Sequence, residues 1–297
     1  MVHQLIDENA FRDFERRRHD AIAHSYHDFF SPVTALAVAE LLNAAHVVAN
    51  TRLLDVATGS GVAAGVAATR GAKVVGVDVA PNMVQVAASL NPALQFKEAD
   101  VAALPFEDGA FDAVVCNFGL GHFANAERAI AECARVLAPL GSLAVSWWDH
   151  PSRTRIQGLF VDALQEAGAT PPPDLPAGPP IFRFSEDSEL LNLLRSAGLD
   201  GVRVQQYSCV HRIESVDALW NGALGSLART SAVVLGQTVE MQRRIRACLE
   251  RLATNYSTPE GLLIPVAFKI ASGQRVPGEF VDQAAARIRK RPSASDA

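Results

Sequence analysis

Two acids and a run of small residues carry the first chemical signal in this 297-residue chain. Asp55 lies near the end of an apolar run, Arg52-Leu53-Leu54-Asp55-Val56, and Ala57-Thr58-Gly59-Ser60-Gly61 follows at once. Asp78 ends the next apolar run, Lys73-Val74-Val75-Gly76-Val77. Glycines at such a turn let the backbone reverse tightly and let a ligand approach without a Cβ in the way. An acid after the second run can accept hydrogen bonds from both hydroxyls of a ribose. An acid before the glycines would repel a pyrophosphate, whereas it suits a cofactor that carries an ammonium group. The pair tips the reading from a dinucleotide toward S-adenosylmethionine.

To position these residues the chain needs a strand, a glycine turn and a helix, the opening of a βαβ unit. Leu53 to Val56 is continuously apolar, as a strand covered on both faces should be. Val62 to Thr69 is Ala-rich and helix-prone. Ala80-Pro81-Asn82-Met83 starts a helix to about Ser89, and a third strand, Leu94 to Lys97, ends at Glu98-Ala99-Asp100. A fourth, Phe111 to Asn117, delivers Phe118-Gly119-Leu120-Gly121-His122-Phe123 off its carboxyl end, where open α/β sheets bind ligands. Asn125 caps a helix from Ala126 to Leu137, and Ser142 to Trp148 is a fifth strand.

Four segments in this order, Leu53 to Gly61, Val77 to Met83, Ala99 to Phe106 and Phe111 to Val115, resemble the class I S-adenosylmethionine-dependent methyltransferases. Within these the chain is most similar to the small-molecule group that includes the ubiquinone and menaquinone biosynthesis methyltransferases. The resemblance spans roughly residues 50 to 150. It implies an α/β fold: a doubly wound, mainly parallel seven-stranded sheet (the Rossmann-like methyltransferase fold) with an antiparallel final strand. It also implies S-adenosyl-L-methionine held by Asp55, Ala57, Thr58, Gly59 and Gly61, by Asp78, Val79 and Met83, and by Asn117 and Phe118. Asp100 and Val101 would face the adenine, although an acid there equally caps the turn from Val101 to Leu104. Tyr26 looks like the lid aromatic that touches the methionine end, where a ring face suits a sulfonium. Ala57 stands where the family has its first glycine; a negative φ is expected there, with a slightly tighter cofactor pocket as the consequence.

Methyl transfer from a sulfonium is a substitution, and a base is needed only if the nucleophile must shed a proton. His122 is the candidate, since a neutral imidazole is available near pH 7. It could equally pack on the cofactor or hydrogen-bond its carboxylate. Trp147 and Trp148 alternate across strand five, so one of them should face the pocket, and Trp148 is taken as a substrate contact together with Trp220. His19, His24 and His27 do not fall on one helical face, so no metal is expected.

The remaining organisation follows from composition. A net charge of −5 disfavours a nucleic-acid partner, and Arg16-Arg17-Arg18, Arg243-Arg244-Arg246 and Arg287 to Arg291 read as solvated helix faces. The four dispersed cysteines fit free thiols, and with no apolar run long enough for a membrane span the expected location is cytoplasmic. Residues 1–50 should form an N-terminal helical lid, 51–280 the methyltransferase domain with a helical insertion at about 215–256 capping the substrate pocket or making a dimer contact, and 281–297 a partly disordered tail. The segment 169–180 is proline-rich and should lack regular structure. The expected activity is methylation of an oxygen, nitrogen or carbon on a small, largely apolar metabolite, by a monomer or homodimer. Two rivals stay open: a protein that binds S-adenosylmethionine without transferring methyl, and a dinucleotide-dependent oxidoreductase.

Overall fold

The computed structural model describes residues 6–276; the tail expected at 281–297 lies outside the described residues. The chain opens with α1 (Glu8–Phe29), α2 (Ser31–Thr34) and α3 (Val38–Ala44), the last two separated by a 3-10 turn. Then β1 (Arg52–Val56), α4 (Val62–Thr69), β2 (Lys73–Asp78), α5 (Pro81–Leu90), β3 (Gln95–Glu98), β4 (Phe111–Asn117), α6 (Ala126–Val136) and β5 (Leu137–Trp148) follow in βαβ order. After α7 (Arg155–Ala167), α8 (Asp187–Ser196) and β6 (Leu199–Ile213) come α9 (Val216–Ser226), α10 (Ala228–Leu235), α11 (Val239–Ala253), β7 (Ser257–Thr258) and β8 (Gly261–Arg275). No helix among the described residues is long and apolar enough to cross a membrane.

The sheet has the order β3-β2-β1-β4-β5-β8-β6, with the two-residue β7 beside β8 as an eighth strand. β1, β2, β3, β4 and β5 pair in parallel, and β8 runs antiparallel to both β5 and β6. Position in the sheet explains the residue pattern. Central β1 is buried from Leu53 to Val56, whereas edge strand β6 alternates along its length because one face meets water. The Rossmann-like methyltransferase fold is therefore present.

Several boundaries differ from the sequence reading. The N-terminal helical stretch breaks after α1 into the short α2 and α3, and Ser31 turns inward to hydrogen-bond Ser60 at 2.8 Å. β5 starts directly after α6, five residues before Ser142, and β8 runs through Ser272 and Gly273 to Arg275. The stretch 169–180 is irregular yet pinned: Gln237 donates to the Thr170 carbonyl, Arg229 to the Pro176 carbonyl, and Gly178 lies against the Phe11 ring.

One element does most to place the site. α1 is buried at Phe11, Phe14, Glu15 and Ala23, while Ala21 is exposed. It is tied to α5 through Asp20, which accepts the Asn82 N–H at 2.7 Å, and to α9 through Ser25, which donates to the Gly225 carbonyl. A Cβ at Gly222 would meet the Phe29 ring at 2.1 Å, so α9 approaches α1 as closely as glycine permits.

Candidate functional site

The turn after β1 is built on left-handed backbone: Ala57 has φ 51, Gly59 φ 55 and Gly61 φ 80. The negative φ expected at Ala57 is therefore wrong, and its Cβ carries a strain of about 1–2 kcal/mol that glycine would not. The surrounding bonds hold it there. Asp55 Oδ2 accepts from the Thr58 hydroxyl at 2.6 Å and from the Ala64 N–H at 3.1 Å, and the Thr58 N–H donates to the Val77 carbonyl. Asp55 is fully buried, its Oδ1 has no partner among the described residues, and burial pushes its carboxyl up to about 7. Three expected cofactor contacts thus do not border the cavity above the turn. Asp55 and Thr58 staple the turn from beneath, and Gly61 faces Asn91, Ala87 and Phe96.

That cavity encloses about 1200 Å³, part of it open to solvent. Ala57, Gly59, Asp78, Val79, Met83, Asp100, Val101, Asn117 and Phe118 line it from the sheet side, and Tyr26 and Arg12 of α1 from the other. Asp78 is buried, and its two oxygens accept from the Gly59 N–H at 2.9 Å and the Ala80 N–H at 3.0 Å. Each oxygen keeps acceptor capacity for a ribose hydroxyl. Burial pushes this carboxyl up, against the pull of the two backbone donors and the histidines nearby. A Cβ at Gly59 would lie 3.8 Å from Tyr26, so it is the positive φ that calls for glycine there. Asp100 meets both of its readings: it caps the turn through the Ala102 N–H at 2.8 Å and still borders the cavity. A buried acid facing one end and a second acid further along fit a ligand with a ribose and an aminopurine.

Phe118 marks the boundary with a second chamber of about 750 Å³, open in part. Its φ of 56 is held by the Ser146 hydroxyl, which accepts the Phe118 N–H at 3.0 Å, and by the Trp148 ring stacked 3.8 Å away. Trp147 also borders this chamber, because the space wraps around the carboxyl end of β5; the expectation that one tryptophan alone would face it is corrected. Trp147 is fixed by its Nε1–H to the Ile181 carbonyl at 2.7 Å, and a Cβ at Gly121 would meet its ring at 2.1 Å. Ser226 to Thr230, at the junction of α9 and α10, form another wall. Trp220 borders neither chamber. Its ring lies parallel to Phe160 of α7 at 6.0 Å, with the Arg246 guanidinium 5.5 Å from it, because this face of α9 turns toward α7 and α11.

Where the two chambers meet, α1 delivers a carboxylate. Glu15 is 5% exposed, and its Oε2 lies 2.9 Å from His122 Nδ1 and 3.3 Å from His19 Nδ1. His19 Nδ1 also meets the Glu15 carbonyl at 2.9 Å, and the two imidazoles stand edge to face at 4.6 Å. Burial works to raise the Glu15 carboxyl, but His122, then His19 and Arg229, bring it below the usual range. His19 is pushed down by burial and by His122. The three side chains bring donor atoms within 4.8 Å of one another, a spacing open to metal ligation as well as to proton sharing. Glu15 escaped the sequence reading, and His19 was weighed only with His24 and His27, whereas its partners are Glu15 and His122. The signal was available: Phe11, Glu15, His19, Ile22 and Tyr26 repeat at helical spacing, so two titratable groups interrupt an apolar stripe.

Residues 54–145 match the methyltransferase domain family. Over 108 residues the chain is 47% identical to a demethylmenaquinone methyltransferase of Thermus thermophilus, covering 34% of this chain and 49% of that protein. A Deinococcus radiodurans demethylmenaquinone methyltransferase is 32% identical over 163 residues, covering 50% of this chain and 67% of that one. The chain thus spans about half to two thirds of the length of the curated relatives it matches. In fold it is similar to the YcgJ protein of Bacillus subtilis, with TM-score 0.55, 20% identity, and coverage of 82% of this chain and 99% of that one.

Proposed function

Because the chain belongs to the class I S-adenosylmethionine-dependent methyltransferases of the menaquinone and ubiquinone type, we propose that it methylates a small, largely apolar, ring-bearing metabolite. The observation that carries this reading is the meeting of two chambers at Tyr26, Phe118 and His122, one walled by acids and the other by aromatic rings. When bound, S-adenosylmethionine supplies an activated methyl group. The chain's own residues then bind, orient and dry the reactants. Asp78 takes the ribose diol, Asp100 and Val101 the adenine edge, and Ala57, Gly59, Val79, Met83, Asn117 and Phe118 the remaining surface. Tyr26 and Phe118 stand on both chambers and set the line between donor and acceptor. Holding two reactants so is worth up to about 7–11 kcal/mol.

For an oxygen nucleophile, His122 is the group that takes the proton. With Nδ1–H donated to Glu15, its Nε2 is the free basic atom, and the carboxylate stabilises the ring once it is protonated. Residues 1–50 act as the lid through α1. Within the domain spanning 51–280, the α9–α10 junction of the insertion caps the acceptor chamber, α11 packs against α7, Trp148 is a ring contact, and Trp220 supports the cap from outside.

Calorimetry with S-adenosylhomocysteine tests the cofactor half. Asp78→Ala should weaken binding by about 2–4 kcal/mol, the loss of charge-assisted bonds. Unchanged affinity would remove Asp78 from the site, and no binding to the unaltered protein would remove the whole reading. Appearance of S-adenosylhomocysteine in a panel of phenolic and quinol acceptors tests the transfer itself. Tight binding with no turnover across that panel would favour a protein that binds the cofactor without transferring methyl.

A further inference from the structure

Arg229 lies in the wall of the aromatic chamber without an obvious protein partner for its charge. It is partly buried, and one of its nitrogens donates to the Pro176 carbonyl at 3.0 Å. Five N–H groups are available on a guanidinium, so that bond leaves most of them unused. Among the described residues no carboxylate comes within 4.0 Å of Arg229. Glu15 acts on it from further away, but the Glu15 carboxylate is already engaged by His122 and His19. A second guanidinium, Arg18, donates to Ser231 on the same helix at 2.8 Å, and its Nε is buried without a partner. Arg229 also sits in the first turn of α10, where the helix dipole disfavours a cation and no side chain caps the helix. Arg229 therefore places a positive charge on one wall of a chamber whose other walls include Phe11, Phe30, Trp147 and Trp148, with Arg18 behind that wall and outside the lining.

We propose that Arg229 is an anion subsite of the acceptor chamber, so that the acceptor is a planar aromatic molecule bearing a carboxylate or an equally acidic oxygen as well as its nucleophile. This rests on the methyltransferase reading and narrows its substrate class. The rings would stack the planar body, and the guanidinium fork would take the two oxygens of the acid, its best geometric match. Such an anion would offset both the partial burial of Arg229 and its unfavourable place at a helix start.

The test uses the protein saturated with S-adenosylhomocysteine and two probes of similar shape, 1-hydroxy-2-naphthoate and 2-methyl-1-naphthol, followed by quenching of tryptophan fluorescence. The acid should bind the unaltered protein ~10-fold or more tightly than the neutral naphthol, as expected for a charge-assisted pair. In Arg229→Gln the two probes should come within ~2-fold of each other, and Arg229→Lys should keep part of the preference. S-adenosylhomocysteine affinity, measured in the same variants, reports whether each is folded. No preference in the unaltered protein, or a preference that survives Arg229→Gln in a variant that still binds S-adenosylhomocysteine, overturns the subsite. Failure of both probes to bind overturns it too. Failure of S-adenosylhomocysteine to bind the unaltered protein instead overturns the cofactor reading on which it stands.

Discussion

Glu15 holds its carboxylate between two imidazoles in a nearly dry setting, and its consequence for catalysis differs from that of His122. If His122 is the base proposed above, His122→Asn should lower kcat by ~10²–10⁴-fold for an oxygen nucleophile, the usual range for general base catalysis. Glu15→Gln leaves the base in place and removes what orients and stabilises it, so kcat should fall by a smaller factor. In both variants S-adenosylhomocysteine affinity should stay within a few-fold, because the acids proposed to hold the cofactor are Asp78 and Asp100. Initial rates together with calorimetry make the comparison; a lost cofactor affinity with unchanged kcat would move the pair out of the chemistry. Asp55 titrates with the opposite purpose. Its carboxyl is raised to about 7 in the fold against an ordinary 3.8, so the folded state holds a proton there that the unfolded chain has already released. That contribution to stability is complete below about pH 4 and is lost as pH rises through about 7. Asp55→Asn, which keeps an acceptor for Thr58 and Ala64, should therefore gain stability over the unaltered apo protein at pH 8 and gain less at pH 5. Urea midpoints at the two pH values decide it, and an equal difference at both would mean that Asp55 is not neutral in the fold.

Among the elements, the turn after β1 shows what could be read in advance and what could not. Its place after a buried strand followed from the unbroken run Leu53 to Val56, and the structure sets that strand between β2 and β4. The reach of its acid did not follow, because whether Asp55 points into a cavity or beneath a turn depends on φ values that no residue name prints. Ala57 illustrates the same limit, since alanine at φ 51 is a choice the surroundings impose. Ala57→Gly should relieve that strain and gain up to ~1 kcal/mol, part of it offset by the greater freedom of glycine in the unfolded chain. A denaturation midpoint that falls instead would show the alanine methyl to be packing usefully against Gly119, where an added Cβ would stand 2.9 Å from it. Glu15 was hidden for a related reason. Helical spacing shows which residues share a face of α1, but the rotation of that face toward His122, distant in sequence, is set by packing against α5 and α9. Trp220 was misplaced in the same way: it was taken as a substrate contact, and tertiary packing gave its ring to Phe160.

At the scale of the whole molecule, two ligand chambers are roofed by parts of the chain remote in sequence: α1, the irregular segment through Pro179, and the α9–α10 junction. The strength of that roof is uneven. Near its amino end α1 is held by Arg12 to Asp100 at 3.5 Å and by Glu8 to Asn125 at 3.0 Å, both among exposed side chains. Exposed pairs of this kind contribute about 0–1 kcal/mol each, so these two polar contacts add little resistance to opening at the amino end of α1. Phe11, by contrast, is buried against Gly178, and that contact couples opening of α1 to movement of the irregular segment. A cofactor bound between Tyr26 and the turn touches both sides of this seam and would bind the closed form in preference, shifting the population toward it. Hydrogen exchange should therefore slow on adding S-adenosylhomocysteine in α1, in the turn from Ala57 to Gly61 and in the segment 169–180, while β6 and β8, which border neither chamber's floor, change little. Arg12→Ala should speed exchange in α1 of the apo protein and speed cofactor release by a few-fold. Protection spread evenly over the sheet and helices would mean that the ligand stabilises the fold as one unit, and α1 would then be a fixed wall of the site and no lid.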